Sequence, residues 1–367
     1  MSSKKDNTRS KDIQFMKLAL SIARQNEGLT DENPSVGCVI TNDNKIISTG
    51  LTSIKGRPHA EFNALKNSKK KLNRSTLYVT MEPCDHYGKT APCTNLIVKK
   101  KIKRVVYAIE DTDKRTRFKA FKKLKSKGIK VKRHVCKNEA HDLYKKYFFC
   151  KNQSRPYVTG KIVCSKDKFI KSKNNKYISN HHSLNVSHLL RYRNDGILIS
   201  YKTLNDDNPL LNCRISGLEK FSPKCFILDK DLKSKKNSII FQSKNKNKTF
   251  ILHNSTDKKK IKYFKARKIK LIRAKMNTNN TLDLKNTLDQ IFKKKVYRLL
   301  VEGGEELTKN FIKLKLFNEF FLFQSFISLK KKGLININKI LKKIPLNFKN
   351  CKILDTYTDK DKITHYF

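Results

Sequence analysis

"RPHAEFNAL" (residues 57–65) and "MEPCDHYGKTAPC" (residues 81–93) decide how this chain is read. The first sets His59 and Glu61 two apart where a loop turns into an apolar-periodic helix. The second supplies Cys84 and Cys93. Zinc takes nitrogen and sulfur ligands in a tetrahedron, and His59, Cys84 and Cys93 make three. A fourth protein ligand, for which His86 is the candidate, would close the site and make it structural. A water in the fourth position would make it catalytic, because the metal brings the pKa of that water to about 7. Glu61, on the first helical turn, is placed to lie beside the metal without binding it and to carry a proton from the water to a departing amine. His-x-Glu alone is a weak signal. Followed by a strand, Pro83-Cys84 and a second cysteine, it points to the open, catalytic arrangement.

Outward from these stretches, helix and strand patterns alternate. Residues 12–28 have a helical apolar period at Phe15, Leu18, Ala19 and Ile22 and stop at Gly28. "VGCVI" (36–40) and "KIISTGL" (45–51) flank "TNDN" and read as a hairpin. A helix over 59–71, a buried strand over 75–81, a helix over 91–101 that opens with a proline in its first turn, a strand over 104–109, a helix over 116–128, a strand over 129–135 and a closing helix over 138–149 follow. The sum is a sheet covered by helices. "CKNQSRPY" (150–157) is polar, contains proline and breaks the pattern, so a first domain is placed at 1–150 and a second at 151–367.

The second half restarts with a strand over 157–165, a helix over 181–193 and a strand over 195–200. Three further strands are expected at 224–229, 248–253 and 269–274, then a helix at 281–295, a strand running into Gly303 and Gly304, a helix at 305–317 and a C-terminal hairpin at 351–367. Residues 230–290 are rich in lysine and asparagine and predict little beyond strands and loops. No internal repeat is present. There is no G-x-G-x-x-G after a strand, so a Rossmann domain is unsupported. "VEGGEEL" (301–307) offers instead small residues between a strand and a helix, where a phosphate can approach backbone N–H groups.

Composition bounds the function. The 367 residues suit two domains. Lys+Arg outnumber Asp+Glu by 83 to 31, a net charge of +52. A nucleic-acid binder should gather such charge in a patch; here the lysines are spread, glycine and proline are scarce and tryptophan is absent, as an AT-rich genome would dictate. No nucleic-acid partner is expected. Nine irregularly spaced cysteines fit a reducing compartment rather than a disulfide scaffold. The polar start lacks an apolar signal region, and "LFNEFFLFQSFISL" (316–329), the most apolar stretch, is too short and too polar to span a bilayer. A cytoplasmic enzyme with no membrane partner is the expectation.

"HAE", "EPC" and the second cysteine resemble the cytidine-deaminase-like superfamily, in which H-x-E and P-C ligate zinc and Glu is the acid/base. Eight residues, rather than two, separate Cys84 from Cys93. That insertion, with "NPSVG" (33–37) and "RPHAE", resembles the deaminase half of the bifunctional riboflavin-biosynthesis deaminase-reductases. In the second half "TGKIVCSKD", "YIS", "LLRYRNDGILIS", "KTLNDDNPLLNCR" and "LLVEGG" resemble the reductase half of the same family. The resemblance covers roughly residues 12–217 and 296–328. It implies a cytidine-deaminase-like α/β domain followed by a dihydrofolate-reductase-like α/β domain, a homo-oligomer, and Zn2+ and NADPH as cofactors. It implies a phosphorylated pyrimidine as substrate, a diaminopyrimidinone bearing a phosphoribosylamino group. Asn33 would hold the ring. His86 and Lys89, on the insertion, read either as partners of the ring or phosphate or as solvated loop residues. Val163, Tyr177, Thr203, Asp207 and the segment Gly304, Glu305, Glu306, Leu307, Thr308, Lys309 and Asn310 would line the NADPH site. Asn175, Arg191, Leu211, Arg214 and Glu302 would face the substrate, the arginines as bidentate phosphate donors, with Lys161 a further phosphate partner. Lys168 stands where the family pattern has glycine after Asp167, and a glycine expected near Val163 is missing. A tRNA-type deaminase and a non-catalytic zinc-stabilised module are the rival readings.

Overall fold

The computed structural model describes residues 2–69, 71–113, 117–173, 178–244, 246–354 and 359–367, with side chains from residue 8 onward. It divides into two compact units, Met1–Gln153 and Ser154–Phe367.

In the first unit the elements run α1 (Ser2–Gln25), β1 (Gly37–Asn42), β2 (Lys45–Leu51), α2 (Ala60–Asn67), β3 (Thr76–Met81), α3 (Cys93–Lys99), β4 (Arg104–Ile109), α4 (Lys119–Ser126), β5 (Lys130–Lys132) and α5 (Lys137–Gln153). The sheet order is β2-β1-β3-β4-β5. The β1–β2 and β1–β3 pairs are antiparallel, while β3–β4 and β4–β5 are parallel. Central β3 is buried on both faces, as a helix-covered parallel strand must be, and Met16, Leu20, Leu65, Leu77, Ile97 and Tyr107 build the core around it. The parallel strands β3 and β4 end on the same side, and the loops after them carry the chemistry. Two boundaries differ from the sequence reading. Pro92 is the cap of α3 rather than a member of its first turn. Helix α5 runs on to Gln153 because Cys150 packs inside, although the three residues after it are polar and exposed.

The second unit contains β6 (Tyr157–Cys164), β7 (Phe169–Ser172), α6 (His181–Tyr192), β8 (Gly196–Ser200), α7 (Tyr201–Asp207), β9 (Lys224–Leu228), α8 (Ile239–Gln242), β10 (Thr249–His253), α9 (Lys258–Ala266), β11 (Lys270–Arg273), α10 (Leu284–Lys293), β12 (Arg298–Glu302), α11 (Glu305–Lys313), β13 (Glu319–Gln324), β14 (Gly333–Asn336), α12 (Asn338–Leu341), β15 (Cys351–Ile353) and β16 (Lys362–Tyr366). Nine strands form one sheet, β11-β10-β9-β8-β12-β6-β13-β16-β15. It is parallel from β11 to β13 and antiparallel through β16 and β15. The period-2 alternation sends Leu198, Phe226, Leu252 and Leu299 into one core and Ile197, Cys225, Ile227, Ile251 and Leu300 into another.

The sequence reading gives no α7, α8 or α12, and it misses three further features that shape the unit. Helix α9 lies in the stretch read as strands and loops; Asp257 caps it by accepting from the Lys260 amide, and Phe264 anchors it. Strand β13 was hidden because Glu319 interrupts its hydropathy. That carboxylate is buried and satisfied by Thr159 Oγ1 at 2.8 Å and His365 Nε2 at 3.1 Å. The small β7–β14 ribbon is pinned by Asp167, whose carboxylate accepts from the Leu329 and Lys330 amides and from Ser165. The next residue, Lys168, has φ +70°. That left-handed conformation is the physical reason a glycine belongs at this position.

Candidate functional site

His59 caps α2 with extended backbone, and Glu61 occupies the first turn, buried. The approach of this helix to the sheet depends on Gly50: a Cβ there would stand 2.1 Å from Ala60 O and 2.5 Å from Ala64 N. Asn63 ties the same helix down by donating to Leu51 O at 2.7 Å and Ser53 Oγ at 3.0 Å. Cys84 follows β3, and Cys93 opens α3. His59 Nδ1 lies 3.6 Å from Cys84 Sγ and 3.5 Å from Cys93 Sγ, and all three atoms fall within 4.8 Å of one another. Those spans are the edges of a tetrahedron whose metal–ligand bonds measure about 2.0–2.3 Å, so the donor set fits zinc. Among the described residues the cluster stops at three. His86 lines the adjoining cavity but is not part of it. Hydrogen bonds from Cys93 and His59 draw the Cys84 thiol well below its usual range, toward the ionised form a metal needs, while the same pairing pushes the Cys93 thiol up. Burial pushes Glu61 up to about 7.

A cavity of about 470 Å³ opens over this cluster. Asn33 stands in its wall, held by a turn in which Thr30 Oγ1 donates to Asn33 O at 2.7 Å, and its own Nδ2 donates to Gly56 O at 3.1 Å. Gly56, at φ +83°, has no room for a side chain against Asn33. His86 and Lys89 line the cavity from the insertion, with Arg57 beside them. Sequence reasoning missed Glu82, Asp111 and Lys151 in the same wall. Asp111 follows β4, and the C-terminal ends of parallel strands are where ligands collect; that topological signal could have found it.

The second unit has a cavity of about 1030 Å³, lined by Val163, Thr203, Asp207, Gly304, Glu305, Glu306, Leu307 and Asn310 among the expected cofactor residues. A side chain at Gly304 would begin 3.6 Å from Thr203 Oγ1, in the space a dinucleotide would enter. The volume, at the upper end for ligand sites, and the strand-to-helix turn at the glycines fit NADPH. Thr308 is buried with its hydroxyl turned to Gly303 O, and Lys309 is exposed away from the lining. Glu302 and Lys161 line the same cavity. Arg191 grips Glu302 with a fork, Nε to Oε1 and Nη2 to Oε2, both 2.8 Å, and donates to Asn212 O at 3.2 Å. Lys161 Nζ lies 3.9 Å from Glu302 Oε2. Burial alone would raise Glu302, but the two cations hold it at about 2, and burial lowers Lys161. Arg191, Leu211 and Arg214 do not line this cavity: Arg191 faces Glu302, Leu211 is buried at φ +54°, and Arg214 is exposed. Asn175 and Tyr177 lie outside the described residues.

A three-donor zinc centre with a buried glutamate, followed by a separate sheet domain with a dinucleotide-sized cavity, defines a zinc-dependent deaminase joined to a reductase. The pattern of the cytidine and deoxycytidylate deaminase zinc-binding region matches residues 9–109, and that of the RibD C-terminal domain matches residues 156–336. The riboflavin biosynthesis protein RibD of Aquifex aeolicus is 33% identical over 85% of this chain and 86% of its own length. The solved structure of Acinetobacter baumannii RibD covers 98% of this chain and 99% of its own, with a TM-score of 0.84 at 25% identity. A Thermotoga maritima diaminohydroxyphosphoribosylaminopyrimidine deaminase/5-amino-6-(5-phosphoribosylamino)uracil reductase gives a TM-score of 0.80 at 26% identity, covering 98% of this chain and 99% of its own. The chain belongs to the RibD family of bifunctional riboflavin-biosynthesis deaminase-reductases. It has a cytidine-deaminase-like and a dihydrofolate-reductase-like α/β domain, with Zn2+ and NADPH as its cofactors. Among the described residues no helix is long and apolar enough to cross a membrane.

Proposed function

We propose that residues 1–150 deaminate 2,5-diamino-6-(5-phosphoribosylamino)pyrimidin-4-one and that residues 151–367 reduce the ribosyl group of the product to ribityl. The observation that carries the reading is the three-donor cluster with Glu61 buried beside it. His59, Cys84 and Cys93 would hold Zn2+, which supplies the Lewis acidity that makes water a nucleophile near neutral pH. Asn33 orients the pyrimidine ring from the cavity wall. Glu61 takes a proton from the attacking water and passes it to the departing ammonia, so the exocyclic C–N bond is exchanged for a carbonyl. His86 and Lys89, on the cavity wall with Arg57, receive the ribose phosphate.

In the second unit Val163, Tyr177, Thr203, Asp207 and residues 304–310 are assigned to NADPH, which supplies a hydride to the sugar C1 of the ring-opened imine. Asn175, Arg191, Leu211, Arg214 and Glu302 are assigned to the substrate. Arg191 acts by fixing the Glu302 carboxylate, which reaches the cavity while Arg191 does not. Nine free cysteines support a reducing, cytoplasmic setting. The exposed edge strand β15 supports a homo-oligomer.

One coupled assay tests the proposal: ammonia release and NADPH oxidation are followed together on the phosphoribosylated diaminopyrimidinone. Equal amounts of both are expected. Glu61→Gln should keep its zinc and lose ammonia release. Ammonia release by that variant at the unaltered rate would remove Glu61 from its role.

A further inference from the structure

The insertion between the two zinc-ligand cysteines is a loop that must be ordered before it can present anything to a substrate. Along it Cys84, His86, Gly88 and Lys89 line the deaminase cavity, whereas Asp85 does not. The Asp85 carboxylate faces the helices behind the loop. Its Oδ1 accepts from Thr94 Oγ1 on α3 at 2.5 Å and from Lys123 Nζ on α4 at 2.6 Å. Lys123 Nζ also donates to Asn95 Oδ1 at 2.6 Å, and Asn95 Nδ2 donates to Tyr87 OH at 3.2 Å. One ammonium thereby reaches the loop at two points, directly through Asp85 and through Asn95 to Tyr87, on either side of His86. The pair is only partly withdrawn from water, with side-chain exposures of 32% for Lys123 and 13% for Asp85. The far end of the loop is tied by Arg57, whose Nη1 donates to Thr90 Oγ1.

We propose that Lys123 and Asp85 are positioning residues for the deaminase: they hold the insertion so that His86 and Lys89 meet the ribose phosphate. This rests on the phosphate reading of those two residues. The reacting groups are anchored elsewhere. His59 and Glu61 sit on α2 and Cys93 on α3, and Cys84 Sγ accepts from the Cys93 amide at 3.3 Å. Loss of the tether therefore leaves the chemistry assembled and the loop loose. The substrate must then order the loop as it binds, an entropic cost that raises KM and leaves kcat in place. A partly exposed ion pair adds little to global stability, so a purely structural role would not give this pattern.

The test measures kcat and KM for ammonia release with the phosphorylated substrate and with its phosphate-free riboside. The proteins are the full-length zinc-loaded enzyme and its Lys123→Met, Asp85→Ala, Lys123→Arg and Lys89→Met variants, together with the Lys123→Met/Asp85→Ala double variant. Lys123→Met and Asp85→Ala should each raise KM for the phosphorylated substrate about tenfold, as expected for about one loop residue to be ordered on binding. Their kcat, their KM for the riboside and their zinc content should stay unchanged. The double variant should be no worse than either single one, and Lys123→Arg should restore the KM. Equal rises in both KM values, or no rise in either, would overturn the proposal. Lys89→Met separates the two layers. If it abolishes the preference for the phosphorylated substrate while Lys123→Met does not touch that preference, the positioning role alone falls. If it leaves the preference intact, the phosphate reading falls and takes the positioning role with it.

Discussion

Replacing Gly50 by alanine should stop the deaminase and spare the reductase. The added Cβ would meet Ala60 O at 2.1 Å, Ala64 N at 2.5 Å and Ala64 Cβ at 2.9 Å, where ordinary contact begins at 3.4 Å. Two of these atoms are backbone, so no side chain can swing aside. Helix α2 has to withdraw from β2 by more than an ångström. Ala60 stands between His59 and Glu61, and the metal donor and the acid/base move with it. A misplacement of that size costs about 100-fold in rate. Overpacking a well-filled interior costs about 1–3 kcal/mol, which in a unit this long lowers its melting temperature by about 3–10 °C. The reductase core is built from residues of the other compact unit and has no share in the strain. The assay follows ammonia release from the diaminopyrimidinone, NADPH oxidation with the deaminated intermediate supplied directly, bound zinc and the melting curve. Ammonia release at the unaltered rate, in a protein whose melting temperature has fallen as expected, would refute the link between the seat of α2 and the chemistry. A loss of both activities would refute the independence of the units.

Other outcomes follow from the second unit. Lys168→Gly relieves a left-handed backbone at φ +70°, worth about 1–2 kcal/mol, against about 0.5–1 kcal/mol of added chain entropy, and should stabilise that unit by about 0.5–1 kcal/mol, seen as a higher denaturant midpoint at unchanged slope. Arg191→Leu leaves the buried Glu302 carboxylate with Lys161 Nζ at 3.9 Å as its cation and should cost up to about 3–5 kcal/mol; adding Glu302→Gln, which keeps a polar neighbour for Lys161, should recover part of it, and no recovery in the double variant would contradict the pairing. Burial, with Arg191 and Arg214 nearby, lowers the folded His188 from 6.5 to about 4. The unfolded chain then takes up a proton near pH 6.5 that the fold refuses until about pH 4. This group's contribution is complete above pH 6.5 and is lost as pH falls toward 4. His188→Phe should flatten the stability profile in that window, and an unchanged slope between pH 6.5 and 4 would discount the group.

Much of the first site was legible because its chemistry is written in residue types that have few other reasons to occur together. His59, Glu61, Cys84 and Cys93 announce themselves by spacing, and the alternation of apolar runs around them gives the sheet. Gly50 does not: one glycine in a strand reads as an edge or a bulge, and only the fold shows a helix carbonyl 2.1 Å from where its side chain would be. In the second unit the parallel strands were plain from their apolar runs. Strand β13 was not, because Glu319 reads as a surface residue until Thr159 and His365 are seen to satisfy it. Its partners lie 160 and 46 residues away in the chain, beyond any local window. Arg191 was placed at the substrate by the family resemblance, and on its own residues it read as a solvated helix face; neither reading foresaw the fork it gives Glu302. The Lys123–Asp85 pair was hidden in the same way, since a lysine among many lysines carries no signal until its acceptor is placed.

The two units meet in sequence over three residues, 154–156, between the end of α5 and the start of β6. Translation therefore delivers deaminase and reductase in a fixed one-to-one ratio that no change in expression can alter. The steady-state level of the deaminated intermediate is then governed by the relative catalytic efficiencies of the two halves. A substitution that slows only the reductase would raise that level with no compensation from gene dosage.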